Sequence, residues 1–168
     1  MEKFQKTDLV IKDQITNWFL RYHGKSIDNF SGQEEFTLFD ILSLDKQKAI
    51  DTISNDKELP VLVLKKENES IIVCTTRCFI YFENDKTQEL KYSDFQNHMG
   101  YKSINVPIHT GSNIGLKTDG YISEFGLRKN DGQIIYWKIP TGRSGFAFWN
   151  VTKKFNIIGR KYFIHETE

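Results

Sequence analysis

The spacing of apolar side chains changes at Leu59-Pro60. Before that point they recur every three to four residues. Ile11, Ile15, Trp18, Phe19 and Tyr22 line one face and predict a helix, with Thr7 or Asp8 as its cap and Gly24 as its left-handed end. KSIDNFSGQ, residues 25–33, has the composition of a loop. A second helical pattern covers roughly 34–54, with Phe36, Phe39 and Leu42 on one stripe and Ala49, Ile50 and Ile53 on another. A break is expected at 43–45, where Ser43 can cap a new helix. Both stripes are read as faces that dock on a sheet.

Beyond Pro60 the period becomes two. PVLVLKK, IIVCTT and CFIYFE predict three strands, Pro60 standing at a strand start where a missing N–H is tolerated. Turns are expected at 67–69 and 84–86, with a short strand over 88–92. Residues 96–120 are irregular, with strands placed near 104–106 and 114–117, and the length of the 96–117 stretch marks it as a functional loop. YISEFGLRK and QIIYWKI alternate cleanly around Asn130-Asp131-Gly132, where Asp-Gly supplies the positive φ of a tight hairpin. Tyr121, Phe125 and Leu127 share one face, as do Ile135, Trp137 and Ile139. Phe148, Val151, Phe155 and Ile158 then predict one closing helix, capped by Ser144 and ended by Gly159; residues 160–168 read as a short strand or a tail.

With 168 residues, the chain is long enough for one domain with an appendage, and 13 Phe, 7 Tyr and 3 Trp suit a β-rich core. The net charge of +1 comes from interspersed acids and bases, which argues against a nucleic-acid partner. No apolar run nears the roughly 20 residues of a membrane span, and MEKFQKTDLV lacks a signal-peptide core, so a cytoplasmic location is expected.

Cys74 and Cys78 are spaced C-x3-C without a second Cys/His pair, so neither a zinc site nor a thioredoxin-like motif is expected. They read as small buried residues beside a hairpin turn, with a cross-strand disulfide as the alternative.

The order of helices, about seven antiparallel strands and a closing helix resembles a bacterial pleckstrin-homology-like domain over roughly residues 59–160. Two local features carry the resemblance. VCTTRCFIYF, Val73 to Phe82, matches a strand, a Thr-rich turn, a basic residue and an apolar strand ending in an aromatic. Tyr92-Ser93-Asp94-Phe95 matches the corner that follows. Cys78 departs from the pattern, as does the long 96–117 region. The resemblance implies an α+β fold: a pleckstrin-homology-like antiparallel β-barrel of about seven strands (59–168) closed by its C-terminal helix and preceded by an N-terminal helical segment (1–58). The same strands are also compatible with a sandwich.

Two kinds of site follow. TGRSGFAFWN, residues 141–150, offers Arg143 at a helix start, where an anion can sit, and Phe146 and Trp149 as anchors for a protein partner if exposed. Lys65 and Lys66 lie where pleckstrin-homology modules hold phosphoinositides, although Glu67 and Glu69 offset their field. His98 and His109, near Asp94 and Asp119, are the only catalytic candidates, and no nucleophile elbow or metalloprotease motif supports them. The expectation is a non-enzymatic protein–protein interaction domain of bacterial type, regulatory or immunity-like, with no cofactor and no metal. A module for phosphoinositide, anionic lipid or another anionic ligand is the alternative.

Overall fold

The computed structural model describes residues 3–30, 36–54, 57–65, 70–99, 103–104, 121–140 and 142–165. The chain opens with a strand, β1 (Phe4–Thr7), which runs directly into helix α1 (Asp8–His23). Thr7 caps α1 by accepting a hydrogen bond from Val10 N, and Gly24 ends it at φ 78° with its N–H on Leu20 O. Ile11, Ile15 and Phe19 are fully buried along one side of α1, as their spacing predicts. The helical pattern at 34–42 is overturned. Phe36–Leu38 forms strand β2, followed by a single 3-10 turn at Phe39–Ile41. A three-residue segment buried on both sides satisfies its backbone by pairing with a neighbouring strand, and this outweighs the Phe36/Phe39/Leu42 spacing. The break at Ser43 is present: Ser43 precedes α2 (Leu44–Asp51) and its backbone carbonyl accepts Gln47 N at 3.0 Å, but its side chain makes no capping hydrogen bond.

Strands β3 (Pro60–Lys65), β4 (Ile71–Thr75), β5 (Cys78–Glu83) and β6 (Lys86–Lys91) extend β2 into a five-stranded antiparallel sheet of order β2-β3-β4-β5-β6. Leu62, Leu64, Ile72, Cys74 and Phe79 face the main core, while Val63, Val73, Cys78 and Ile80 face a smaller cluster built with Phe39 and Ile50. Both faces of the middle strands are therefore covered, which is why VLVL and IIVC are unbroken apolar runs. The same alternation places Cys74 and Cys78 on opposite faces of the sheet, and both are free thiols. The β5–β6 turn uses Asn84 and Asp85 at φ 49° and 58°, the double positive φ of a tight two-residue turn. At the sheet edge, β6 carries KTQELK and is almost wholly exposed, a polar rim that discourages further pairing. The expected turn at 67–69 lies outside the described residues.

A second antiparallel sheet contains β7 (Phe95–His98), β8 (Ser103–Ile104), β9 (Tyr121–Lys129) and β10 (Ile134–Pro140), with β9 pairing each of the others. Gly132 turns β9 into β10 at φ 87°. The strand expected at 114–117 lies outside the described residues. Among those residues no ladder joins the two sheets, so the barrel expected from the sequence is not closed. β6 ends in polar residues, and the Tyr92–Asp94 corner redirects the chain: Asp94 N bonds Lys91 O at 3.0 Å and Asn130 Nδ2 bonds Ser93 O at 2.7 Å.

The closing helix is two helices, α3 (Gly142–Thr152) and α4 (Phe155–Lys161), parted at Lys153-Lys154. Phe148 stacks on Phe36 at 4.2 Å, and Phe155 packs on Tyr92 at 4.4 Å and Phe79 at 5.3 Å, so both helices fill the space between the sheets. Gly159 lies inside α4 and does not end it. A Cβ there would stand 2.2 Å from the carbonyl of Tyr92, so glycine is needed for the helix to meet the corner. The final strand, β11 (Tyr162–His165), pairs in parallel with β1 and ties the two ends of the described chain together. No helix among the described residues is long and apolar enough to cross a membrane.

Candidate functional site

The threonine-rich turn between β4 and β5 is a knot of side-chain hydrogen bonds. Thr75 Oγ1 accepts from Arg77 N at 3.1 Å and Cys78 N at 2.9 Å, which shapes the turn, and donates to Glu58 Oε2 at 2.5 Å. Thr76 donates to Asp8 Oδ1 and accepts from Leu59 N. Arg77 grips the same carboxylate with two bonds, Nη2 to Oδ2 at 2.5 Å and Nε to Oδ1 at 3.1 Å. Asp8, 2% exposed, thereby fastens the first turn of α1 to the hairpin. Tyr92 Oη donates to Thr75 O at 2.8 Å and completes the link to the corner.

Arg77 reaches past this knot into a cleft of about 320 Å³. Its cationic lining comes from four separate places: Lys3 before β1, Lys57 before β3, Arg77 in the hairpin turn and Lys91 at the end of β6. Glu58 is the lone carboxylate among the lining residues. Lys3 Nζ also donates to Gly159 O at 3.0 Å, which holds the segment before β1 against α4. The opposite wall is apolar: Ile158 from α4, and Tyr162, Phe163 and Ile164 from β11. The arrangement combines an electropositive side with an aromatic side and is open to solvent, chemistry that suits an anion.

Glu58, Cys78 and Glu89 also converge, with ligand atoms within 4.8 Å of one another. Burial, and then the adjacent Glu58 carboxylate, push the Cys78 thiol far above its ordinary range. Its S–H donates to Glu58 Oε2 at 2.9 Å. A metal ion bound there would have to displace that proton and break the hydrogen bond.

Neither family models, nor curated proteins, nor solved structures give a match to the chain.

The residues singled out from the sequence do not form one site. Arg143 is exposed on the first turn of α3. Phe146, half-buried, meets Tyr22 edge-on at 6.3 Å, and Trp149, 8% exposed, stacks on His98 at 4.6 Å, so these rings fasten α3 to α1 and to β7. Lys65 ends β3 beside Lys46, and partial burial together with that neighbour holds its pKa below the ordinary value. Lys66, His109 and Asp119 lie outside the described residues. His98 packs against aromatic rings and bonds Thr152 Oγ1 through Nε2 at 3.1 Å. Of the cleft cations, only Arg77 carries a signal in the sequence, as the basic residue of VCTTRCFIYF.

Proposed function

We propose that this chain is a non-enzymatic binding domain, pleckstrin-homology-like in build, whose cleft between the β4–β5 turn, the β6–β7 corner and β11 takes an anionic ligand. The observation that carries the reading is the convergence of Lys3, Lys57, Arg77 and Lys91 on one cleft whose lining residues include one carboxylate, Glu58, while Asp8 pairs with Arg77 from behind the lining. Arg77 is pre-oriented by its paired bonds to Asp8, so its guanidinium needs little ordering when a ligand arrives. The pleckstrin-homology-like build is supported by the antiparallel sheets, the Thr-rich turn with its basic residue and the helices seated between the sheets. A protein partner, the first expectation from the sequence, would use 96–117 and 141–149. Most of the first stretch lies outside the described residues, and in the second Phe146 and Trp149 pack inward. The cleft is therefore the better-supported contact.

Titration of the full chain with inorganic phosphate, followed by amide resonances in low-salt buffer, tests this reading. Shifts confined to the cleft are expected, weakening at higher ionic strength and about tenfold weaker in Lys91→Glu, whose exposed side chain can be reversed without disturbing the core. Absence of cleft shifts at millimolar phosphate, or identical shifts in Lys91→Glu, refutes it.

A further inference from the structure

The strand that runs into the cleft is also the last of its sheet. β6 closes the order β2-β3-β4-β5-β6, and no described residue pairs with its outer edge. Lys86, Thr87, Gln88, Glu89 and Lys91 are exposed, and within β6 only Leu90 is buried. We infer that this edge receives an extended acidic peptide, which adds to the sheet as a further strand and delivers its acidic end to the cationic cleft. The inference rests on the anionic-ligand reading above and names the kind of molecule that carries the anion.

The hairpin fixes which backbone groups this edge offers. Its two-residue turn makes the flanking residues, Glu83 and Lys86, a hydrogen-bonded pair. Bonded and non-bonded pairs then alternate, so Gln88 and Leu90 turn their N–H and C=O groups toward β5. Tyr92 N donates to Arg77 O at 2.8 Å and continues that set. Thr87, Glu89 and Lys91 therefore point their backbone groups away from β5. Lys91 O is engaged by Asp94 N at 3.0 Å, which leaves its N–H. The β5–β6 register runs without a bulge from Cys78–Lys91 to Glu83–Lys86, so the outward groups recur at every second residue. Polar side chains make the edge a poor partner for an apolar strand, but not for a polar strand of opposite charge. Charge selects that occupant. β6 carries Lys86 and Lys91 against Glu89 alone, and Lys91 also lines the cleft beside Lys3, Lys57 and Arg77. Every neighbouring pair in this sheet is antiparallel. An added strand in the same sense runs away from the cleft, so its N-terminal residues lie at Lys91. Acids there meet the cations, and the polar, β-branched residues that follow suit a half-exposed strand.

The test titrates the full chain, in low-salt buffer and followed by amide resonances, with acetyl-Asp-Asp-Thr-Val-Thr-Val-amide, with the same peptide N-methylated on the residues that would face β6, with acetyl-Asp-Asp-amide and with inorganic phosphate. The long peptide is expected to bind about tenfold more tightly than the short one, the yield of about two net hydrogen bonds, and N-methylation to remove that gain. Cleft resonances should shift, and the amides of Thr87 and Glu89 should shift more than those of Gln88 and Leu90. Glu89→Pro removes an outward N–H that β5 does not use, and is expected to abolish the gain even though losing an acid favours an acidic ligand. Glu89→Gln keeps the N–H and is expected to bind at least as tightly as the wild type. Equal affinity for the long, N-methylated and short peptides, with phosphate still shifting the cleft, overturns the edge inference and leaves the anionic-ligand reading standing. Edge shifts without cleft shifts overturn the delivery of an acidic end, and with it the inference. Failure of both peptide and phosphate to shift cleft resonances overturns both readings.

Discussion

His98 makes the fold acid-sensitive in a way that can be isolated. Its ring sits among Phe95, Phe125 and Trp149, at centroid distances of 5.4, 4.8 and 4.6 Å. Thr152 Oγ1 gives its own proton to Phe148 O at 2.8 Å, so it accepts from His98 Nε2–H, while Nδ1 is buried without a hydrogen-bond partner. A second proton would go on Nδ1, where nothing receives it. Burial, and secondarily the charge of Lys153, lower the His98 pKa to about 3. The unfolded chain titrates near 6.5, so between pH 6.5 and pH 3 it binds a proton that the native state refuses. Stability from this group is complete above about pH 6.5 and falls as the pH drops, at about 1.4 kcal/mol per unit at the steepest. Between pH 7 and pH 5 the loss is about 2 kcal/mol, and below pH 3 it levels off near 5 kcal/mol. Urea unfolding at pH 7 and pH 5, in the wild type and in His98→Phe, checks this. The variant keeps an aromatic ring in the cage and has nothing to protonate, so its loss over that interval should be smaller by about 2 kcal/mol. All other titrating groups are common to both proteins and cancel in the comparison. Equal losses in the two proteins would refute the argument.

Two further perturbations probe the parts that position the cleft. Gly159→Ala forces a methyl group to within 2.2 Å of the Tyr92 backbone, so α4 must lift from the corner; a loss of about 3 kcal/mol or more is expected in thermal or urea unfolding, and an unchanged midpoint would show that the helix does not meet the corner this closely. Asp8→Ala leaves Arg77 and Thr76 without their shared acceptor and detaches α1 from the hairpin. A loss of about 3 kcal/mol is expected, near the low end for a buried pair because Arg77 is partly solvated, and a double-mutant cycle with Arg77→Ala should show clear coupling.

The sequence reveals elements whose local chemistry and tertiary role agree. Thr7, Gly24, Pro60 and Asp131-Gly132 each mark a boundary because the backbone there has one inexpensive solution, and the structure uses it. It hides elements that exist only through a distant partner. β1 is four residues long and is held across almost the whole chain by β11, a strand the sequence offers beside the alternative of a tail; β2 survives because β3 lies beside it. Gly159 follows the same logic in reverse. Near the end of an apolar periodicity a glycine reads as a terminator, yet its role is to let α4 touch the Tyr92–Ser93 peptide, a contact no window of sequence contains.

The cleft is the extreme case. Lys3, Lys57, Arg77 and Lys91 are separated by intervals in which acids outnumber bases, so no basic run along the chain announces them. What gathers them is the folding of four boundaries — a chain end, a strand start, a turn and a corner — onto one side of the molecule. Boundaries are where polar side chains are tolerated, because the backbone there faces solvent. A two-sheet fold that brings several boundaries together concentrates their charges without any basic run. Of Lys65 and Lys66, the conspicuous basic pair in the sequence, Lys65 ends β3 beside Lys46 instead, where partial burial and that neighbour lower its pKa, and Lys66 lies outside the described residues. Adjacency in sequence is thus a poor guide to which cations share a surface in this fold. Here they gather where separate boundaries meet, and Asp8 binds Arg77 from the buried side, which positions its guanidinium and offsets part of its charge.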